Sequence, residues 1–153
     1  VCIDLIVVLV GLLIAHCWGI IISALVIFAI WPSIFTAALA IIIIGSRQLG
    51  LAILMHEAAH NALFKSLKLN YACGTWLCGN PILADLSAYR KYHLKHHRHT
   101  QTDEDPDLRL SRSFPATRTS MMRKLFRDIT GQTGIKQRAQ QFMVALQLAG
   151  DCL

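Results

Sequence analysis

Six of the seven histidines of the 153-residue chain fall in two short motifs whose spacing suits metal binding. The first motif is HEAAH, in which His56 and His60 stand four residues apart. The second is YRKYHLKHHRHT, which contains His93, His96, His97 and His99. On a helix, side chains three or four residues apart share one face, so the imidazoles of each motif can converge. Imidazole binds iron, zinc, copper and nickel, and the two motifs together predict a metal site whose ligands are nearly all histidine.

Taken alone, HEAAH also matches H-E-x-x-H, the signature of zinc peptidases. In that interpretation His56 and His60 bind zinc and Glu57 is the general base. One large peptidase group has a glycine and a further histidine downstream, where this chain has Leu63 and Ser66. A peptidase also leaves the H-x-x-H-H motif unexplained. A zinc peptidase is therefore kept only as the alternative enzyme class. A non-catalytic membrane protein with a metal-binding face is a third hypothesis.

A hydrophobic N-terminal part precedes both motifs and must position them. Residues 5–30 carry no charge, and about 20 apolar residues are enough to span a bilayer. Trp31 and Pro32 end this stretch, because proline disfavours helix at the residue before it and tryptophan suits the interface. His16 lies in the middle of the predicted span, and we interpret it as a hydrogen-bonded packing residue.

The second predicted helix starts near Ile34, with Ser33 as its candidate cap, and runs through HEAAH. Arg47 and Gln48 interrupt its apolar sequence, so they either face protein or mark the interface. The short link between the two helices predicts a transmembrane helical hairpin over residues 1–55. The first histidine motif then lies at its cytoplasmic end.

Residues 56–100 form the histidine-motif region. Between the motifs, residues 66–88 are moderately apolar and are interrupted by glycine and proline. They predict a short interfacial or re-entrant helix followed by a turn at 79–81. A helix that begins near Leu83 is expected to carry the second motif.

Residues 101–138 are polar and predict a cytosolic segment with a helix over about 120–130, and residues 139–153 predict the start of a further apolar helix. We expect the basic side chains of the cytosolic segment either to contact anionic headgroups or to be solvated. The net charge of +6 does not indicate nucleic acid, because acidic DEDPD interrupts the basic residues and no nucleic-acid motif is visible. Lys and Arg beside apolar spans instead mark the cytoplasmic side of a membrane. The five cysteines contain no C-x-x-C and are expected to be reduced packing residues.

HEAAH and HLKHH together resemble the first two histidine boxes of the membrane fatty acid desaturase family, which also includes hydroxylases and ketolases. The family pattern is H-x(3,4)-H near the end of a transmembrane helix, then H-x(2,3)-H-H some tens of residues later. The acidic DPD at 105–107 is also similar to bacterial members. The resemblance covers roughly residues 47–138. It implies an all-α integral membrane protein, with one partial desaturase domain over 1–153.

The resemblance implies an O2-dependent oxidoreductase that introduces a double bond into a lipid-linked fatty acyl chain. It implies two iron ions, an electron donor of the ferredoxin or cytochrome b5 type, and a multi-pass membrane protein with its active site on the cytoplasmic face. The implied iron ligands are His56, His60, His93, His96 and His97. Glu57 is expected to orient a ligand imidazole, and His99 is expected to lie beside the ligands or at the surface. A hydroxylase or ketolase of the same superfamily is the alternative within this class.

The chain departs from the family pattern in one respect. The family has a third box near its C-terminus, with the pattern H-x(2,3)-H-H or Q-x(2,3)-H-H, and no histidine follows His99 here. Five ligands cannot complete a pair of irons. The chain also opens on Val1 and ends within an apolar stretch. We therefore expect an N-terminal fragment that carries boxes one and two and is inactive alone. A degenerate homologue that has lost its site is the other explanation.

Overall fold

The computed structural model describes residues 2–111 and 114–150. Within these ranges the regular secondary structure is helical throughout and contains no strand, which confirms the all-α prediction. The α-helices are α1 (Cys2–Ile30), α2 (Ile34–Ala59), α3 (Leu67–Cys73), α4 (Leu86–His99), α5 (Leu108–Ser111), α6 (Arg118–Ile129) and α7 (Gln132–Gly150). The chain divides into two compact units, Val1–His93 and Leu94–Leu153, and the division falls inside the continuous helix α4.

In the first unit, α1 and α2 are long, apolar and joined by three residues. Ser33 caps α2 as predicted: its side chain accepts a hydrogen bond from the Thr36 backbone N–H at 3.1 Å, and the Thr36 hydroxyl lies 3.0 Å from the Ser33 backbone nitrogen. Two stretches are long and apolar enough to cross a membrane, Val7–Ile30 with a mean hydropathy of 2.5 and Ile34–Ala59 with 2.0. Most of their apolar side chains are exposed, as lipid-facing residues would be.

The two long helices pack through small and apolar side chains. A side-chain carbon at Gly50 would lie 3.0 Å from the Cys17 sulfur, so this glycine permits the close approach of α2 to α1. Arg47 faces α1, where its Nη1 donates to Nε2 of His16 at 3.3 Å. The hydrogen bond expected of His16 is therefore present, although this side chain is exposed.

Between the two histidine-bearing helices the chain remains helical but changes its winding. α3 continues into a π-helical turn (Gly74–Gly79) and a 3-10 turn (Asn80–Ile82). Leu83 then adopts a left-handed conformation with φ of 59°, which stops the helical run. Asp85 starts α4 by accepting a hydrogen bond from the Ala88 backbone N–H at 2.6 Å. The second motif therefore lies on a helix that begins at Leu86, three residues later than expected.

The second unit contains the C-terminal part of α4 and the helices α5, α6 and α7. α6 begins two residues earlier than predicted because the Thr117 side chain caps it, accepting from the Ser120 backbone N–H at 3.3 Å. α7 begins at Gln132, well before the predicted 139, directly after Gly131. Gly131 has a positive φ of 76°, which glycine adopts readily and which separates the two helices.

The described cysteine side chains are free thiols and act as packing residues. Cys17 and Cys78 are buried and Cys73 is partly buried. Burial raises the pKa of Cys78 to about 12 and also raises the pKa of Cys73. Both thiols therefore stay protonated near neutral pH, which does not suit a thiolate metal site. Cys152 lies outside the described residues.

Candidate metal centre

The first motif lies at the C-terminal end of α2. His56 is in the last turn of this helix and His60 is the residue that caps it. The His60 backbone N–H donates to the carbonyl oxygens of His56 and Glu57, both at 3.2 Å, so the helical geometry extends to His60. As the four-residue spacing predicts, the two imidazoles come together, with ring centroids 4.8 Å apart.

The second motif brings His93 to the same place. Its ring centroid lies 4.5 Å from that of His56 and 4.9 Å from that of His60. The two Nε2 atoms of His60 and His93 are only 2.9 Å apart. Thirty-three residues separate this pair in the sequence, so the fold joins the two motifs.

His97 follows His93 by one turn on the same helix. One ring nitrogen of each of four histidines lies within 4.8 Å of the other three: His56, His60, His93 and His97. These four residues are called the histidine cluster below. Four converging imidazole nitrogens fit a transition metal ion, and the absence of carboxylates among them favours iron, zinc, copper or nickel over magnesium or calcium. The residues present therefore fit iron.

Asn70 holds the chain that leaves His60. Its side chain is buried, with 2% of the residue exposed. Its Oδ1 accepts hydrogen bonds from the backbone N–H groups of Leu63 at 3.0 Å and Phe64 at 3.2 Å, and its Nδ2 donates to the Ala58 carbonyl at 2.8 Å. One amide thus satisfies backbone groups on both sides of the His60 turn, and so fixes the end of α2 relative to α3.

Gly74 lies where the two histidine-bearing helices approach the π-helical turn. A side-chain carbon at this position would overlap the Ala58 Cβ of α2 and lie 2.9 Å from Leu86 Cδ2 of α4. Both neighbours are buried. The missing side chain therefore allows the packing that brings the HEAAH and HLKHH motifs together.

Tyr89 is a neighbour of the cluster that the sequence-based analysis did not single out. Its ring stacks on His93, with centroids 5.2 Å apart and an angle of 8° between the planes. Its centroid is also 6.5 Å from that of His56. The available signal was its position four residues before His93, on the same face of a helix.

His96 is not a member of the histidine cluster. Its Nδ1 lies 2.8 Å from Oδ1 of Asp105, a residue that is only 5% exposed. The hydrogen bond from His96, together with those from the backbone N–H groups of Gln101 and Asp107, outweighs burial and lowers the pKa of Asp105 to about 2. The same hydrogen bond raises the pKa of His96, while burial works in the opposite direction.

The two remaining candidates each contact one charged or titratable neighbour. Oε1 of Glu57 lies 3.1 Å from Nδ1 of His56, which is a contact that can orient the imidazole. Nδ1 of His99 lies 3.4 Å from Oε2 of Glu104, and His99 does not belong to the histidine cluster.

The comparisons with known proteins agree with this arrangement. The family model for fatty acid desaturases matches residues 29–149, which include both motifs. The dihydrorhizobitoxine desaturase of Bradyrhizobium elkanii is 37% identical over 73 residues, which are 46% of this chain and 21% of that relative. The match thus spans about a fifth of the relative's length, and no solved structure matches the chain. The match to the family model, over most of the sequence, shows that the chain belongs to the fatty acid desaturase family.

Proposed function

We propose that the protein acts as an O2-dependent desaturase of a lipid-linked fatty acyl chain, with a histidine-ligated di-iron centre. The observation that carries this proposal is the convergence of His56, His60 and His93 from two motifs 33 residues apart. Membership of the desaturase family supports a fatty acyl substrate and O2. The named relative is itself a desaturase.

In this proposal the histidine cluster holds iron, and His96 contributes a fifth imidazole. Because the Asp105 carboxylate is ionised and can only accept, Nδ1 of His96 carries the proton, and in the neutral imidazole Nε2 is the nitrogen left for a metal. Five imidazoles are fewer than two irons need, so further ligands must come from other residues. When bound, the iron pair supplies the O2 chemistry that breaks unactivated C–H bonds, with electrons from a ferredoxin or cytochrome b5 type donor.

The side chains around the cluster act by fixing ring orientation. Glu57 contacts the ring of His56, Tyr89 stacks on His93, and Asp105 holds His96. The two carboxylate partners raise ligand basicity and set the tautomer that leaves one nitrogen for the metal, while the stacked Tyr89 ring limits the rotation of His93. The preorganised rings therefore lose little freedom when the metal binds.

Membrane placement is part of the same proposal. α1 and α2 are long and apolar enough to cross a bilayer, and Arg47 is the one Lys or Arg that precedes position 60. The positive charge that follows the apolar helices favours a cytoplasmic location for the histidine motifs, in a multi-pass protein. Membrane lipids then surround the apolar faces.

The family assignment replaces the peptidase interpretation of HEAAH. The geometry agrees, because the Glu57 carboxylate lies against the His56 ring and two further histidines join His56 and His60. Hydroxylation or ketone formation by the same superfamily would use the same histidines. The products separate these alternatives, since only desaturation yields a new double bond without an added oxygen.

The first test is the metal content of the protein purified under anaerobic conditions with Fe(II). We expect bound iron in the unsubstituted chain and loss of most of that iron in His93→Ala. His16→Ala is the control and should keep all of its iron, because this ring lies on α1 and outside the histidine cluster. Zinc bound in preference to iron, or iron retained in His93→Ala, would contradict the proposal. Lipid analysis of an expressing host that supplies an electron donor then identifies the product.

A further inference from the structure

α6 presents two chemically different faces. It is a twelve-residue helix that is capped at both ends and has no buried residue. At 100° per residue, five large apolar side chains fall on one side of the helix. The five are Met121, Met122, Leu125, Phe126 and Ile129, and Arg118 lies on the same side in the first turn. Their exposed fractions range from 41% for Met121 to 83% for Ile129, so this apolar face is open in the described part of the chain.

The opposite side of α6 is basic. Arg123 and Arg127 stand one turn apart, and Lys124 lies beside them. Among the described residues the structure gives none of these three cations an ion pair. The one acidic residue of the helix, Asp128, accepts a hydrogen bond from the Thr133 hydroxyl at 2.6 Å. The face therefore carries uncompensated positive charge next to exposed apolar side chains.

This combination fits a lipid surface. A helix with Lys and Arg on its polar face and Met, Leu, Phe and Ile on the other lies in the plane of a membrane interface. The apolar side chains enter the acyl boundary, while the long basic side chains reach the phosphates. Charge complementarity selects anionic lipids, which attract basic residues within about 10 Å of the surface at 0.1 M salt.

We propose that α6 is a peripheral membrane-binding helix that lies on a surface containing anionic lipids. The proposal does not depend on the metal centre, since it involves the part of the chain from Thr117 to Thr133. Its function is to hold this polar segment at the membrane that would contain the acyl substrate. An acidic protein or a further part of a longer chain is the competing occupant of the apolar face, and the experiment separates these cases.

The test measures amide hydrogen exchange of residues 118–129 in the full chain, reconstituted in two kinds of lipid nanodisc. One contains phosphatidylcholine only, and the other contains phosphatidylcholine with 30% phosphatidylglycerol. We expect α6 amides to exchange at least about tenfold more slowly in the anionic discs, because each basic residue near the surface adds to the attraction. Raising the salt to 0.5 M should remove most of this difference, since screening weakens it.

Two double variants with equal loss of charge provide the control. Arg123→Gln with Lys124→Gln should abolish the difference between the two lipids. Lys65→Gln with Lys68→Gln changes two exposed basic residues elsewhere and should leave it intact. Phe126→Asp should speed α6 exchange in the anionic discs, while the amides of α1 and α2 report that the rest of the chain is folded.

Two outcomes overturn the proposal. Equal α6 exchange in both kinds of disc means that anionic lipid is not the partner. Slow exchange that is equal in both kinds of disc and unchanged by 0.5 M salt means that a contact independent of lipid charge, such as protein, covers the apolar face. An α6 that is protected only in anionic discs, and only with Arg123 and Lys124 present, supports the proposal.

Discussion

Asp105 ties the loop after α4 to a histidine of the second motif. Besides His96, the backbone N–H groups of Gln101 at 2.9 Å and Asp107 at 2.8 Å donate to its carboxylate. These bonds keep a buried carboxylate ionised and so compensate for its desolvation. Asp105 thus has the geometry to orient His96 in the proposed di-iron centre, although it lies outside the histidine motifs themselves.

Asp105→Asn tests this role at the residue scale. Asparagine has nearly the same shape, but it is neutral and binds the His96 N–H more weakly. We expect iron affinity to fall about 10- to 100-fold, as is usual when the partner of a metal-ligating histidine is lost. The measurement is Fe(II) titration of the purified protein.

The matched control for this variant is Asp103→Asn, which removes one exposed carboxylate from the same loop. It should leave the titration unchanged. Equal iron affinity in the two variants would mean that Asp105 only stabilises the loop. A lower unfolding temperature of Asp105→Asn without loss of iron would give the same conclusion.

At the scale of elements, the position of the cluster depends on how closely α2, the π-helical turn and α4 pack. Ala58, Gly74 and Leu86 meet at this point, and all three are buried. Packed cores tolerate little added volume. A side-chain carbon added at Gly74 should therefore move the helices that carry the two histidine motifs, although Gly74 belongs to neither motif.

We expect Gly74→Ala to destabilise the protein by about 1–3 kcal/mol and to reduce iron binding. Gly45→Ala is the control, because no atom lies within 4 Å of a side-chain carbon at Gly45 and alanine favours helix there by about 1 kcal/mol. Thermal unfolding in detergent and iron content give the two measurements. A Gly74→Ala protein with unchanged stability and iron would show that the three elements can separate without cost.

The elements themselves were largely predictable because their signals are local. Apolar length identified α1 and α2, Ser33 marked the start of α2, and the spacing of His56 and His60 placed them on one face. The same four-residue spacing put His93 and His97 on one face. Whether His96 joins them was not predictable, since that depends on the rotation of α4 about its axis. His97 points with His93, whereas His96, one residue away, points to Asp105.

The contacts that fix the end of α2 and the start of α4 are not visible in the local sequence pattern. Asn70 spans the turn after His60 through hydrogen bonds to residues 6, 7 and 12 positions away. Nothing in its immediate neighbours indicates these partners. Leu83 likewise adopts positive φ although leucine rarely does so, which placed the start of α4 later than the glycine and proline pattern suggested.

At the scale of the whole molecule, charge and hydropathy are distributed unevenly along the chain. Apolar helices come first, and 14 of the 15 Lys and Arg residues follow position 60. For an enzyme that acts on acyl chains in a bilayer, this order would place the histidine motifs at the point where the apolar part of the chain ends. The membrane-binding face proposed for α6 would likewise hold a second segment of the chain at the membrane surface.

The topology of the hairpin can be tested directly with single cysteines. α2 has 26 residues and is about 39 Å long, which exceeds a hydrocarbon core of about 30 Å, so Trp31 and Lys65 should lie on opposite sides. In a background without native cysteines, a membrane-impermeant maleimide added to intact cells should label Trp31→Cys but not Lys65→Cys, and permeabilised cells should show both. Labelling of Lys65→Cys alone would place the histidine motifs outside the cytoplasm. Labelling of both in intact cells would mean that α2 does not cross the membrane.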